Sequence, residues 1–260
     1  MLEDATDTEV RGTVTATRVA DVLLAVASRE SSAGVTELAR ELDLSKAVVH
    51  RILRSLVASE LLATQEDGRY ALGSAAARLG ARAWGNFDLR LAAQDELRDL
   101  RGRTGETCTV SALAGRSRVF LDQVVSPHEI GMTVRLGHPL PLHAGATGRA
   151  ILAFVPAELR EHVLAHGLPS LTDVTVTDRE ELERVLDEVR QSGFAVSRGE
   201  RQAGAAAIAA PVFVAGDVVV GAVSVCGPWD RLTDPVLRSY APLLTEATAR
   251  ISDRLRGQGS

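Results

Sequence analysis

Residues 36–59, TELARELDLSKAVVHRILRSLVAS, hold two helical patterns separated by a tight turn. The first, TELAREL, is short, and Thr36 stands where an N-cap is expected. Asp43-Leu44 turns the chain. Ser45 then caps a second helix in which Val49, Ile52, Leu53 and Leu56 recur at i, i+3, i+4 and i+7, so these four share one buried face. The opposite face carries Ser45, Lys46, Ala47, His50, Arg51 and Arg54: three fixed positive charges and no acid.

Upstream, residues 17–29 place Val19, Val22, Leu23 and Val26 at helical spacing. Downstream, residues 61–72 (LLATQEDGRYAL) read as two short strands around the Asp67-Gly68 turn signal. Three short helices and a hairpin form a winged helix-turn-helix over residues 14–73, with residues 1–13 as a disordered tail. Such a domain lays its third helix in the major groove. Lys46 and Ser45 sit at that helix's N-terminus, where backbone N–H groups also favour phosphate. Arg51 and Arg54 suit phosphates or guanine edges, and Arg69 at the wing tip suits the backbone or a minor groove. His50 is equally suited to packing on the second helix. The plainer alternative is an ordinary solvated helix face. What favours DNA is that the one-signed face coincides with a helix-turn-helix and a wing.

Residues 74–104 read as linker helices, with Ser74 as a cap and Gly105 as a stop. From 105 to 258 the pattern changes to strands, then helices, then strands. TCTVSALA and VFLDQVV flank Gly115-Arg116, IGMTVRL (130–136) reads as a strand, and residues 147–154 and 156–165 read as helices. Thr177 and Glu180 form a capping box before the next helix. FAVS, AAAIAAPVFV and VVVGAVSVC are further strands, and Pro235 to Arg256 is a terminal helix. The expected class is α+β, with a mixed or antiparallel sheet in the larger domain.

The chain of 260 residues suffices for two cores. It has no apolar run long enough for a membrane span, and its acidic start lacks a secretory pattern, so a cytoplasmic location is expected. The net charge of −5 argues against a protein that coats nucleic acid generally. Cys108 and Cys226 fit no metal-ligand pattern and are expected to be reduced. No catalytic residue, metal site or cofactor is assigned.

With these segments in hand, the chain resembles the IclR family of bacterial transcriptional regulators over residues 14–256. The resemblance rests on GVTELARELDLSKAVVHRILRSLVASELL, GRYALG, GHPLPLHAGATGRAILA, GFAVSRGERQAGAAAIAAPVF and GAVSVCGP, in that order. It implies a GAF-like C-terminal domain with a six-stranded antiparallel sheet flanked by helices. It also implies a homodimer, often associated into a homotetramer, on a palindromic double-stranded operator. Family members, repressors among them, respond to a small organic acid or related metabolite. Carried over position by position, the effector contacts fall on Ala146, Thr147, Ser197, Ala207, Ser224 and Cys226. Some relatives have an acid at the position of Ser197 and a cysteine at that of Ala207.

The residues themselves point to the same region. HAGATG (143–148) before a helix exposes backbone N–H groups, an anion-binding arrangement. Ser197, Arg198 and Glu200 follow a short strand, and Ser224 and Cys226 alternate along another, so both face one side. A small carboxylate fits this set. The plainer readings are helix-on-sheet packing for GATG, an Arg198–Glu200 surface pair, and ordinary strand residues at 224 and 226. Three rival functions are carried: an enzyme using His143, Ser224 and Cys226, a thiol redox sensor, and a protein-interaction module.

Overall fold

A computed structural model describes residues 14–29, 32–84 and 89–257, and the chain divides into two units between Asn86 and Phe87. The expected tail, residues 1–13, lies outside the described residues. In the first unit, helices α1 (Val14–Ala27), α2 (Val35–Glu41) and α3 (Lys46–Ala58) precede a hairpin of β1 (Leu62–Thr64) and β2 (Tyr70–Leu72). Ala33 bridges Tyr70 as a short third strand. The periodic aliphatics meet in one core: Val22 and Val26 of α1, Leu38 of α2, Val49 and Leu53 of α3, and Leu62 of β1. Ser45 caps α3 by accepting the Val48 N–H at 3.3 Å. Thr36 is not the cap of α2. Gly34 holds that place, and Glu37 reaches back to accept its N–H at 3.2 Å, so the helix starts earlier than expected. Helix α4 (Ser74–Trp84) belongs to this unit.

The second unit begins with α5 (Leu89–Thr104). A six-stranded sheet follows, in the order β5-β4-β3-β8-β7-β6 with every neighbour antiparallel. Its strands are β3 (Thr107–Ala114), β4 (Ser117–Val124), β5 (Pro139–Pro141), β6 (Ala195–Arg198), β7 (Ala205–Phe213) and β8 (Val219–Pro228). Helices α6 (Ala146–Leu152), α7 (Ala157–Ala165) and α8 (Arg179–Ser192) lie between β5 and β6 in sequence, and α9 (Asp234–Ser239) and α10 (Ala241–Gly257) end the chain. One sheet face packs Val110, Ile208, Val223 and Val225 against Leu97 of α5 and Leu244 and Ile251 of α10. The other packs Ala209 and Ala222 against Ile151 of α6 and Leu182 and Leu186 of α8.

Three expectations for this unit are corrected. Residues 130–136 form no strand, because the Gln123 side chain takes both groups that a ladder would use. Its Nε2 donates to the Val134 carbonyl at 2.9 Å and its Oε1 accepts the Val134 N–H at 2.8 Å. The cap of α8 is Asp178, which accepts the Glu181 N–H at 2.9 Å, and not Thr177. The terminal helix is broken at Tyr240, since Pro242 has no N–H with which to continue the ladder. Among the described residues no helix is long and apolar enough to cross a membrane.

Candidate functional site

Two surfaces carry the chemistry. On α3, the buried stripe turns Ser45, Lys46, Ala47, His50, Arg51 and Arg54 outward, and all six are exposed. Among the described residues, none of Lys46, Arg51 and Arg54 has an ion-pair partner. His50 is exposed and not buried against α2. Arg69 behaves differently. Its Nη1 and Nη2 donate to the two Glu37 oxygens at 3.0 and 2.9 Å. Its Nε donates to Ser32 Oγ at 3.1 Å, and Nη2 also donates to the Ser32 carbonyl at 2.6 Å. The expected DNA contact is thus turned back, fastening the wing to α2, because a carboxylate and a serine satisfy its fork. Arg69 in turn holds the Glu37 carboxyl below the ordinary carboxylate range.

The second surface is a cavity on the α6 side of the sheet. Ala146, Thr147, Ser197, Ala207, Ser224 and Cys226 all line it. Register explains the grouping. Ser197 pairs with Ala207, Ala207 with Cys226, and Ser224 with Thr109, and laterally paired residues share a face. The Thr109 and Ser224 hydroxyls bond to each other at 2.7 Å. Arg198 does not join them. It is next to Ser197 on β6, so period two sends it to the other side, where it donates to Asp234 at 3.2 Å.

Sequence reasoning missed two cations that line the cavity, Arg118 and Arg201, neither of which has an ion-pair partner among the described residues. Arg118 reaches it through a β-bulge. Val110 pairs with Asp122 but Ser111 pairs with Phe120, leaving Leu121 as an extra residue. Without that shift, Val119 and Leu121 would face the cavity; with it, Phe120 and Arg118 do. Met132 and Val134 close another wall. The Gln123 clamp and the Thr107 hydroxyl, which donates to the Met132 carbonyl at 2.6 Å, hold that segment in place. The cavity is small, with a volume of about 40 Å³.

The expected anion site at the start of α6 is occupied by the protein itself. The Gly145 N–H donates to Glu200 Oε2 at 3.4 Å, and the same oxygen lies 2.5 Å from Arg149 Nη2. Burial raises the Glu200 carboxyl above its ordinary range, with Arg149 and the Gly145 N–H opposing. Gly145 has φ +83°, and a Cβ on Gly148 would stand 2.5 Å from the Leu142 carbonyl oxygen, so the small residues here serve close packing too.

The rival chemistries lose support. His143 is buried and bonds the Pro169 carbonyl through Nε2 at 2.9 Å, and it does not line the cavity. Burial pushes the Cys108 and Cys226 thiols up to about 12, which leaves little nucleophilic thiolate at neutral pH. Cys226 pairs laterally with Thr107, so Cys108 faces the other side of the sheet. Among the described residues no cluster of three or more His, Cys, Asp or Glu side chains suits a metal ion.

Comparison with known proteins places both units. Residues 15–66 match the IclR helix-turn-helix domain, and residues 81–253 match the C-terminal domain of bacterial IclR transcriptional regulators. The chain is 32% identical to the transcriptional regulator KdgR of Dickeya chrysanthemi, over 90% of this chain and 77% of that protein. It is 35% identical to the glycerol operon regulatory protein of Streptomyces griseus, over 83% and 85%. An IclR transcriptional regulator from Alicyclobacillus acidocaldarius superimposes with a TM-score of 0.78 at 28% identity, covering 96% of this chain and all of that one. An IclR homologue from Microbacterium hydrocarbonoxydans, in complex with 4-hydroxybenzoate, does so at 0.79 and 27% identity, covering 94% and 99%. These relatives are regulators and not enzymes. An exposed cationic helix in a winged helix-turn-helix and a small cavity on a six-stranded sheet are thus the two halves of one architecture, and the chain belongs to the IclR family of DNA-binding transcriptional regulators with a C-terminal ligand-binding domain.

Proposed function

We propose that α3 is the element that reads an operator, through Ser45, Lys46, Ala47, His50, Arg51 and Arg54, and that a small organic acid bound in the cavity controls operator affinity. The carrying observation is the outward face of α3, with three cations that have no ion-pair partner among the described residues and no acid among them. Backbone contacts by such cations release counterions, and an arginine fork fits guanine O6 and N7. Arg69 is left out of this reading, since its donors are already satisfied. The 4-hydroxybenzoate of the Microbacterium homologue is an organic acid, which supports the ligand class. A cytoplasmic location fits this division of labour.

The protein acts as a dimer, and in some conditions a tetramer, on a palindromic site whose half-sites lie about 34 Å apart or a multiple of that. Ligand binding shifts the population between forms of different operator affinity. A coupling of about 1–3 kcal/mol changes that affinity about 5- to 150-fold. Fluorescence anisotropy on labelled operator, with and without ligand at fixed salt, tests the coupling. An unchanged affinity for a ligand that calorimetry shows to be bound overturns it.

A further inference from the structure

The charge inside the cavity does not balance. Glu200 and Arg149 cancel each other, which leaves Arg118 and Arg201. Arg118 is only 1% exposed, and its Nε and Nη1 are buried without a hydrogen-bond partner among the described residues. Its guanidinium carbon lies 4.7 Å from the centroid of the Phe120 ring, and that of Arg201 lies 5.9 Å from the same centroid. Both cations therefore border the same small space. Among the described residues no carboxylate pairs with either. An aromatic face attracts a cation but offers no oxygen to its N–H groups, and a desolvated guanidinium left this way is costly. The missing partner is an anion with acceptor oxygens, and two guanidinium groups call for two negative charges.

The space also limits size. A cavity of about 40 Å³, against roughly 150 Å³ for an apolar cavity that holds benzene, favours a compact molecule over a substituted aromatic ring. We propose that this cavity binds a short aliphatic dicarboxylate of about two to four carbons, one carboxylate on Arg118 and the other on Arg201, with the carbon chain against Phe120. This rests on the reading of the cavity as the effector site and names the effector's chemistry. Thr147, buried in the cavity wall, offers a neutral hydroxyl.

Isothermal titration calorimetry on the full-length protein tests it, with oxalate, malonate and succinate set against propionate, 4-hydroxybenzoate and inorganic phosphate. A dicarboxylate binds about ten- to a hundredfold more tightly than the monocarboxylate of equal length, the worth of one charge-assisted pair. Arg201→Gln, at a partly exposed position, removes that advantage. Arg118→Met removes it as well and raises the melting temperature of the ligand-free protein, because a desolvated unpaired charge is gone. Equal or tighter binding of propionate or phosphate overturns the proposal. So does a dicarboxylate preference that survives both substitutions, or no dicarboxylate binding at millimolar concentration. The two readings fail separately. If 4-hydroxybenzoate binds in preference and shifts operator affinity, the dicarboxylate assignment falls and the effector reading stands. If a dicarboxylate binds as expected without changing operator affinity, the site stands and the effector reading falls.

Discussion

The molecule presents cations in two ways. Lys46, Arg51 and Arg54 stand in solvent on α3, while Arg118 is buried in a strand and Arg201 half-buried in a loop beside it. The exposed set costs the fold almost nothing and suits a polyanion whose charges it neutralises in bulk water. The buried set carries a desolvation cost that only a specific partner offsets. The first arrangement gives strength that salt erodes. The second gives selectivity for one small anion, with little screening.

The largest expected effect is on α3. Replacing Lys46, Arg51 and Arg54 together by alanine reduces the salt slope of operator binding by about three and costs operator affinity several kcal/mol in sum, at about 1–3 kcal/mol for each base-reading arginine. Ligand binding to the cavity stays as it was. Calorimetry on the variant would expose any wider damage.

Next is Gly148→Ala, which puts a methyl 2.5 Å from the Leu142 carbonyl oxygen. Overpacking of this kind costs about 1–3 kcal/mol. Denaturant unfolding should show the loss in the second unit, with the first unit's transition unmoved.

A third expectation concerns pH. Burial first, and Arg201 second, pull the Arg118 guanidinium down to about 9. The groups facing it are Arg201 from the loop after β6 and Cys226 on β8, with Glu200 in the same lining. The folded value is below the unfolded one, so the unfolded chain binds more protons between them. The destabilising charge is present in full below about pH 9 and is relieved above it. Ligand-free stability, taken as wild type minus Arg118→Met, therefore rises above about pH 9, while dicarboxylate affinity falls there. Paired unfolding and titration series across that range check both signs.

The smallest effect is at Arg69. Because Glu37 and Ser32 already hold it, Arg69→Ala leaves the operator salt slope within about 0.3 of wild type, where a free backbone contact would remove about one. A full unit of change would restore Arg69 to the interface.

The contrast between the two cation sets also explains what was legible in the sequence. On α3 the 3.6-residue period assigns every residue a side, so Val49, Ile52, Leu53 and Leu56 imply where Lys46, Arg51 and Arg54 point. The small and polar cavity residues were legible through strand alternation and family resemblance. The same alternation excludes Arg198, since Ser197 beside it faces inward. Arg118 was hidden by the bulge at Leu121. Unbroken alternation sends it to the opposite face, and nothing in SRVFLDQV marks the shift. Arg201 lies in a loop, where no period applies. For Glu200 the choice of partner was decided by α6 packing against the sheet, which brings Arg149 from 51 positions away in place of the neighbouring Arg198.

The division between the two sets is tested most directly by one salt titration of operator binding, run on the wild type, Arg51→Ala and Arg118→Met. The account predicts a slope shallower by about 0.9 for Arg51→Ala and an unchanged slope for Arg118→Met. An unchanged slope for Arg51→Ala, or a loss of equal size for Arg118→Met, would contradict it.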